Sequence, residues 1–285
     1  MKLAQKSIQA NSICIFGIPL DKNSSFLRGA AQAPAQIRKS YYSDSTNLWS
    51  EKGYNLESIK HLYDFGDLDF KAVKDEFSII TKSVDNILGQ NGHVISLGGD
   101  HSVTFPIIKA HAGHYNNLNI LHFDAHPDLY DTLGGNIYSH ASPFARIMEK
   151  KFAKRLVQAG IRTMNGHQQE QAEKFGVEIH EMKDIQTWPH EFEFDGPVYL
   201  SLDLDCLDPG FAPGVSHHEP GGMTTRRVID IIHNFKGQLI GADIVEYNPA
   251  RDINSMTSMV AAKFLKEIIA RIYEDRNLKP QRQTA

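Results

Sequence analysis

The sequence has little cysteine, no long apolar run and no surplus of positive charge. Its 285 residues include two cysteines, Cys14 and Cys206, far apart in strand-like segments, so we expect buried reduced thiols rather than a disulfide. No stretch approaches the roughly 18 apolar residues that a membrane-spanning helix needs. Residues 1–11 lack the apolar core of a secretory signal peptide. These absences predict a cytoplasmic protein.

The charge balance narrows the classes of partner. Lysine and arginine total 30 against 34 aspartates and glutamates, for a net charge of −4. Proteins that bind nucleic acid or anionic membranes through charge carry a basic excess, which this chain lacks. Its length and its 41% hydrophobic content suit one globular domain. We therefore expect a small-molecule partner and a single catalytic domain over residues 1–285, with free ends at about 1–11 and 276–285.

Candidate strands alternate with candidate amphipathic helices along the chain. Strands are predicted at 12–18, 61–65, 93–97, 118–123, 155–161, 198–204 and 238–245. Helices are predicted at 34–42, 71–88, 105–111, 143–150, 168–175, 225–235 and 256–273. Alternation of this kind predicts an α/β fold, a three-layer α/β/α sandwich around a central, mostly parallel sheet. In such sheets ligands bind at the carboxyl ends of the strands.

Two motifs place possible metal ligands at such strand ends. Asp124, His126 and Asp128 follow the apolar run 118–123 at alternate positions, so in extended backbone their side chains point the same way. Asp203 and Asp205 follow the strand-like run 196–200 in the same manner. Buried carboxylates without a partner cost several kcal/mol each, by rough estimate. A divalent cation is the simplest partner for this arrangement.

A third motif, Gly-Gly-Asp-His at 98–101, follows the predicted strand 93–97 and adds His101 to the set. The candidate ligands are then two imidazoles and four carboxylates: His101, Asp124, His126, Asp128, Asp203 and Asp205. Six ligands suit two ions, which about 3.5–4 Å apart can share a water and lower its pKa. Oxygen-rich ligands with imidazole and no thiolate favour Mn²⁺ over Zn²⁺, Mg²⁺ or Ca²⁺.

Other polar residues near these motifs have ordinary interpretations. We expect Asp100 to stabilise its turn, His122 to be buried and neutral, and Cys206 to pack on the opposite face from Asp205. His217 and His218 lie in a loop rich in glycine and proline, where they either line the mouth of the site or cover the surface.

The three motifs, in this order, resemble those of the ureohydrolase family, which comprises arginases and agmatinases. The resemblance runs from Asn23 to Lys263, and the segments 136–142, 211–220 and 245–249 are especially similar to plant-type arginases. The family implies a binuclear Mn²⁺ hydrolase, and all six ligand positions match. By resemblance, Asp124 and Asp203 bridge the two ions, and Asp128 also accepts a hydrogen bond from the attacking hydroxide.

The resemblance assigns two further roles. His140 matches the family's proton shuttle, and Glu246 matches the glutamate that holds the guanidinium group. The chemistry of the residues agrees with this assignment. A carboxylate can fix a planar cation, and an imidazole of near-neutral pKa can protonate the departing amine. Family members form trimers or hexamers, so the resemblance also implies a homo-oligomer.

The substrate remains open between arginine and agmatine, with guanidino acids and formimino compounds behind. Arginine carries an α-carboxylate and an α-ammonium group that agmatine lacks, so an arginase needs polar groups at the pocket mouth. Asn136 and Ser139 are placed to supply them, and we favour arginine on the plant-type resemblance. A zinc deacetylase, which uses one ion and fewer carboxylates, and a non-catalytic metal-binding homologue are the competing hypotheses. The complete ligand set argues against both.

Overall fold

The structure is a computed structural model that describes residues 8–71 and 73–276. Within that part of the chain one sheet contains eight strands: β1 (Ile13–Gly17), β2 (Leu62–Asp67), β3 (His93–Leu97), β4 (Asn119–Phe123), β5 (Arg155–Ile161), β6 (Glu178–Glu181), β7 (Glu193–Asp203) and β8 (Lys236–Val245). Their order across the sheet is β2-β1-β3-β8-β7-β4-β5-β6. Every adjacent pair is parallel, which confirms the predicted sheet.

Helices cover both faces of the sheet. They are α1 (Ala33–Tyr41), α2 (Glu76–Leu88), α3 (Thr104–Ala112), α4 (Pro143–Glu149), α5 (Gly166–Phe175), α6 (Thr225–Asn234) and α7 (Met256–Asp275). Helices α1, α6 and α7 pack into one hydrophobic cluster, and α2 to α5 pack into another. Alternate residues of β1 enter the two clusters, Ile13 and Ile15 on one face and Cys14 and Phe16 on the other. The fold is therefore the predicted three-layer α/β/α sandwich.

Strand β6 has no counterpart among the predicted strands. Its four residues, Glu-Ile-His-Glu, contain one aliphatic side chain, so they give no apolar run. It lies at the edge of the sheet beside β5 and is half-buried. An edge strand needs less apolar surface than a central one, so hydrophobicity alone does not reveal it.

Helix α2 begins at Glu76, five residues later than predicted. The Asp75 carboxylate accepts a hydrogen bond from the Ser78 amide at 3.0 Å and caps the first turn. An aspartate at this position satisfies an amide that the helix itself cannot, so it marks the start of a helix more strongly than apolar periodicity does.

The described part of the N-terminal segment is packed against the sheet. Ile8 is buried in a hydrophobic cluster, and the Asn11 amide donates to the Asn91 carbonyl at 2.8 Å. The expectation of a free end through residue 11 is therefore wrong for residues 8–11. Residues 1–7 and 277–285 lie outside the described residues.

Candidate metal centre and active site

The loops after β3, β4 and β7 bring the six predicted ligands together. His101 follows β3, three of the ligands follow β4, and Asp203 and Asp205 lie at the end of β7. In the sheet these strands and β8 are neighbours, in the order β3-β8-β7-β4. Because all four are parallel, their carboxyl ends meet at one edge, which is where sheets of this class bind ligands.

The Gly-Gly turn places His101 beneath this edge. A Cβ atom at Gly99 would lie 1.7 Å from the Leu20 carbonyl oxygen, so the turn requires glycine there. The buried Asp100 carboxylate accepts from the Ser102 amide at 3.1 Å and from the Asn23 amide at 2.9 Å. Asp100 thus stabilises the turn and links it to Asn23, in the segment that follows β1.

Three carboxylates converge on one nitrogen of the buried His101 ring. Nδ1 lies 3.2 Å from Asp124 Oδ2, 3.0 Å from Asp128 Oδ2 and 3.2 Å from Asp203 Oδ2. Within residues 8–71 and 73–276 this nitrogen makes no hydrogen bond. These four potential ligand atoms therefore lie so close together that no protein group fits between them.

The hydrogen bonds on the other side of the ring determine which nitrogen carries the proton. Ser201 Oγ donates to Asp243 Oδ1 at 2.7 Å and lies 3.0 Å from His101 Nε2. A serine hydroxyl has one hydrogen, so Oγ must accept the Nε2 hydrogen of His101. In the neutral ring Nδ1 then carries only a lone pair, directed at three carboxylates. The lone pair and the carboxylates repel one another unless a cation lies between them, so these residues fit a metal ion.

A second donor group adjoins the first. His126 Nδ1 lies 3.3 Å from Asp124 Oδ1 and 3.1 Å from Asp205 Oδ2. Asp124 therefore directs one oxygen toward each imidazole, which makes it the shared member of the two groups. Backbone amides fix two of the other carboxylates, because Asp203 Oδ1 accepts from Asp205 N at 2.8 Å and Asp205 Oδ1 accepts from Ala125 N at 3.1 Å. Two adjacent donor groups with one common carboxylate suit two cations.

Three of the four carboxylates of this cluster are unfavourable as anions in the protein alone, whereas the neighbouring imidazoles outweigh burial at Asp124 and lower its pKa well below the usual range. Burial, together with the charge of Asp124, raises the pKa of Asp128 to about 6. Burial and the neighbouring charges of Asp205 and Asp124 raise the pKa of Asp203 well above its usual range. Burial and Asp124 also raise the pKa of Asp205. Cations at the centre of the cluster would reverse these shifts, since they stabilise the ionised forms.

Glu246 follows β8 and contacts His140. Its Oε1 accepts from the His101 amide at 2.8 Å and lies 2.9 Å from His140 Nδ1. Burial alone lowers the pKa of His140, but the charge and hydrogen bond of Glu246 and the charges of Asp128 and Asp100 together outweigh it and raise the pKa to about 9. Glu246 and Asp128 both have left-handed backbone, with φ of 62° and 52°. Non-glycine residues rarely adopt it, and each such residue costs on the order of 1 kcal/mol or more.

A cavity of about 180 Å³ opens above these groups. Its walls hold both imidazole and carboxylate groups of the cluster, namely His126, Asp128, Asp203, Asp205, His140 and Glu246. The volume is well below the roughly 300 Å³ at which pockets for drug-sized ligands begin. The cavity therefore suits a small polar molecule.

Asn136 and Ser139 are not among the residues that line this cavity. The Asn136 side chain donates to Asn23 Oδ1 at 3.1 Å and accepts from the Tyr138 amide at 2.9 Å. Ser139 is buried, and its hydroxyl accepts from the Ala141 amide at 3.3 Å. Both side chains hold the loop that carries His140 in place. The substrate contact predicted for them therefore stays a prediction.

Other residues form the remaining walls. Tyr130 and Leu133 come from the loop after β4, Thr163 and Asn165 follow β5, and Ser25 comes from the N-terminal segment. Thr163 and Asn165 stand at alternate positions after a strand, so the pattern that identified Asp203 and Asp205 was available for them too. Ser25 gave no comparable signal.

The two histidines of the loop 213–222 lie in different surroundings. His217 lines the cavity, and its ring lies 5.3 Å from the His140 ring and 5.8 Å from the His126 ring, between centroids. His218 is exposed, with Nε2 2.7 Å from the Pro213 carbonyl oxygen.

Among the described helices, none is long and apolar enough to cross a bilayer.

Comparison with known proteins agrees with this geometry. The model of the arginase family matches residues 11–270. Arginase 1, mitochondrial, of Oryza sativa subsp. indica is 44% identical over 277 residues, which cover 92% of this chain and 82% of that protein. An agmatinase of Bacillus anthracis is 31% identical over 273 residues, which cover 92% of each chain.

The solved structure of the arginase from Medicago truncatula superposes with a TM-score of 0.87 at 42% identity, over 92% of this chain and 88% of that one. The matches to sequence and to structure span the same sheet, and the site lies at the edge where its central strands end. The chain therefore belongs to the arginase family, and it is a hydrolase of carbon–nitrogen bonds in linear amidines.

Proposed function

We propose that this protein is a binuclear manganese ureohydrolase that cleaves the guanidinium group of arginine to urea and ornithine. The observation that carries the proposal is the convergence of His101 Nδ1 with three carboxylates, next to a small cavity that the His140–Glu246 pair also lines. Together with His126 and Asp205, the first group can hold two cations, and the His140–Glu246 pair can hold and protonate a guanidino substrate.

The first cation would be held by His101, Asp128, Asp203 and the shared carboxylate Asp124, and the second by His126, Asp205 and Asp124. The family resemblance makes Asp203 a second shared ligand. Four carboxylates and two imidazoles favour Mn²⁺, since Zn²⁺ prefers fewer, softer ligands and Mg²⁺ and Ca²⁺ prefer oxygen alone. The chemistry that such a pair supplies when bound is a water acidic enough to attack near neutral pH.

Glu246 is placed to bind the guanidinium group. Its Oε1 is held by the His101 amide and by His140, so Oε2 is left to accept from the planar cation. A charge-assisted hydrogen bond of this kind orients the substrate as well as binding it. Asp128 lines the same cavity, so its carboxylate could accept a hydrogen bond from the water that attacks a guanidino group bound to Glu246.

His140 is placed to protonate the departing amine. In the metal-free protein its pKa of about 9 keeps the ring charged at neutral pH, and a charged imidazole can act as an acid. Nε2 lies 2.8 Å from the Ser25 hydroxyl and 3.1 Å from the Ser25 amide. The hydroxyl can accept from a protonated Nε2, whereas the amide can only donate to a bare one. Ser25 therefore offers a partner to both proton states, as a shuttle requires.

Arginine is favoured because the plant relatives at 42–44% identity are named arginases, against 31% for the agmatinase of Bacillus anthracis. Agmatine is the second candidate, and the cavity itself favours it. The residues that line the cavity among those described include no lysine or arginine to pair with an α-carboxylate. The lining includes the uncharged polar groups of Tyr130, Thr163 and Asn165.

The experiment that tests the proposal is urea release from the Mn²⁺-loaded protein, with arginine and agmatine side by side. Higher kcat/KM for arginine, with ornithine as the second product, is the expected result. Preference for agmatine would move the assignment to an agmatinase. No urea from either, in protein that holds two ions, would refute the proposal and turn attention to other guanidino or formimino compounds.

We further propose that the chain acts as a single catalytic domain, assembles as a trimer or hexamer, and works in the cytoplasm. Both cysteines are free and buried, which suits a reducing compartment. The names of several plant relatives place those proteins in mitochondria, so cell fractionation with an untagged chain is the relevant test. Native mass spectrometry with and without Mn²⁺ tests the assembly.

A further inference from the structure

A histidine that takes no part in the ligand set contacts the shared carboxylate. His122 lies in β4, two residues before Asp124, and its ring is fully buried. Its Nε2 lies 2.9 Å from Asp124 Oδ2, the oxygen that faces His101. The His122 ring packs on Phe144, with 4.0 Å between ring centroids, and Phe144 also meets the His101 ring at 5.3 Å. The three rings thus form one block under Asp124.

Gln158, on the neighbouring strand β5, determines how this ring is protonated. Its amide nitrogen Nε2 lies 2.7 Å from the Pro127 carbonyl oxygen and 3.0 Å from His122 Nδ1. A carbonyl oxygen can only accept, so the nitrogen of the amide, rather than its oxygen, must face Pro127. The same nitrogen then donates its second hydrogen to His122 Nδ1. His122 Nδ1 is therefore an acceptor, and the ring hydrogen is on Nε2, directed at Asp124.

We propose that His122 is a positioning residue for the metal centre, which holds Asp124 in its bridging orientation through the chain Pro127–Gln158–His122–Asp124. Asp124 Oδ1 accepts from the His126 amide at 2.7 Å, and Oδ2 accepts from His122. Each oxygen is thus fixed by one donor, and the carboxylate cannot rotate without losing both. This inference rests on the proposed function, because it assigns His122 a role only if Asp124 binds cations.

The same hydrogen bonds distinguish this role from that of a third imidazole ligand. His101, His122 and Asp124 lie close enough together to form a metal site by distance alone. A ligand nitrogen needs a free lone pair, whereas His122 Nε2 carries the hydrogen and Nδ1 is turned toward Gln158. His101 has the opposite arrangement, with its hydrogen on Nε2 bound by Ser201 and its lone pair toward the carboxylates. Outer partners thus give two neighbouring rings different roles.

The test compares Mn²⁺ binding by the wild type, His122→Leu and His122→Gln. Leucine removes the donor, while the glutamine amide can reach Asp124 from about the position of the imidazole Nε2. The matched control is His93→Leu, which removes another buried strand imidazole, one that lies 3.1 Å from the Ile240 carbonyl oxygen at the amino end of β3. Equilibrium dialysis measures the two binding constants, and electron paramagnetic resonance reports whether two bound Mn²⁺ ions are spin-coupled.

For His122→Leu we expect one Mn²⁺ to bind about 10–100-fold more weakly, the range found for loss of an outer partner, with a smaller coupled signal. His122→Gln should recover most of the affinity, and His93→Leu should bind as the wild type does. Wild-type affinity and coupling in His122→Leu, or no recovery in His122→Gln, would overturn the inference. A wild type that does not bind two ions would instead refute the proposed function, and the inference with it.

If His122→Leu does not fold, Gln158→Leu provides the same test without removal of the ring. It abolishes the donor to Nδ1, so the ring can place its hydrogen on either nitrogen. We expect a weaker but measurable loss of affinity for one Mn²⁺, of at most about tenfold, together with partial loss of the coupled signal. Unchanged binding and coupling in Gln158→Leu would also overturn the proposed chain.

Discussion

Replacement of Ser201 by alanine removes one hydroxyl that serves two buried partners. Ser201 Oγ accepts from His101 Nε2 and donates to Asp243 Oδ1, and all three residues are fully buried. Asp243 keeps two other donors, Thr104 and Tyr199, both at 2.9 Å. His101, by contrast, loses the acceptor that keeps its hydrogen on Nε2. The variant should therefore affect both the stability of the fold and the binding of metal.

The two effects have different magnitudes and different origins. A buried polar group left without its partner costs roughly 1–3 kcal/mol, so the metal-free variant should lose about that amount of unfolding free energy for each of two groups. Loss of an outer partner to a metal-binding histidine weakens metal binding about 10–100-fold, and each factor of ten corresponds to about 1.4 kcal/mol. Mn²⁺-loaded protein should therefore be destabilised more than metal-free protein.

The assay is denaturant unfolding of both forms, together with a Mn²⁺ titration. Ser12→Ala is the matched control, because the buried Ser12 hydroxyl also makes two hydrogen bonds, with the Gln9 carbonyl at 2.6 Å and the Gln9 amide at 3.0 Å, at the amino end of the sheet. It should lower stability equally in both forms and leave Mn²⁺ affinity unchanged. Equal Mn²⁺ affinities for Ser201→Ala and Ser12→Ala would refute the tautomer assignment of His101.

Three further outcomes are expected. Asp203→Ala should lose at least one bound ion, and its activity should fall by more than the roughly 100-fold expected when only an outer hydrogen-bond partner of a ligand is lost. Metal analysis and turnover measurements check this, and full activity with both ions bound would contradict it. Glu246→Gln should lower kcat/KM about 10–100-fold, as expected for a hydrogen bond to a charged group worth roughly 1.5–3 kcal/mol, while both ions stay bound. In metal-free protein, the raised pKa of His140 adds stability that is complete below about pH 6.5 and is lost as the pH rises through about 9. The difference in unfolding free energy between wild type and His140→Asn should shrink over that range, and a difference independent of pH would exclude the His140–Glu246 ion pair.

The sequence could predict that the six candidate ligands lie close together, because each follows a strand. Alternate residues of an extended chain share a face, so Asp124, His126 and Asp128 had to point together, as did Asp203 and Asp205. The order of the strands could not be predicted in the same way. That β8 lies between β3 and β7, and so brings Glu246 to the centre, depends on crossovers between segments far apart in sequence.

Where the chain leaves regular structure, spacing along the sequence does not determine where side chains point. Asn136 and Ser139 lie in an irregular loop, and local backbone amides, rather than position along the chain, determine where their side chains point. Thr163 and Asn165 follow β5, and the rule that identified the metal ligands applies to them as well. They were missed because neither carries a charge and so neither suggested chemistry.

The proposed metal centre is assembled from segments that only the complete sheet brings together. His101 and Glu246 are 145 residues apart in the chain, and their strands meet only when β8 inserts beside β3. A local fragment therefore lacks the site, and cations bind the folded chain in preference to the unfolded one. Free Mn²⁺ at about 100 times its dissociation constant would add roughly 2.7 kcal/mol per ion to the stability of the fold.

With Mn²⁺ as the bound cation, that coupling would make the lifetime of the chain depend on manganese supply. A proteolytic enzyme cleaves the unfolded fraction, and a change of 1–2 kcal/mol in stability alters the abundance of a typical protein several-fold. Scarce manganese would then lower the amount of the protein as well as its activity. Manganese nutrition would thus act on the amount of this enzyme after translation.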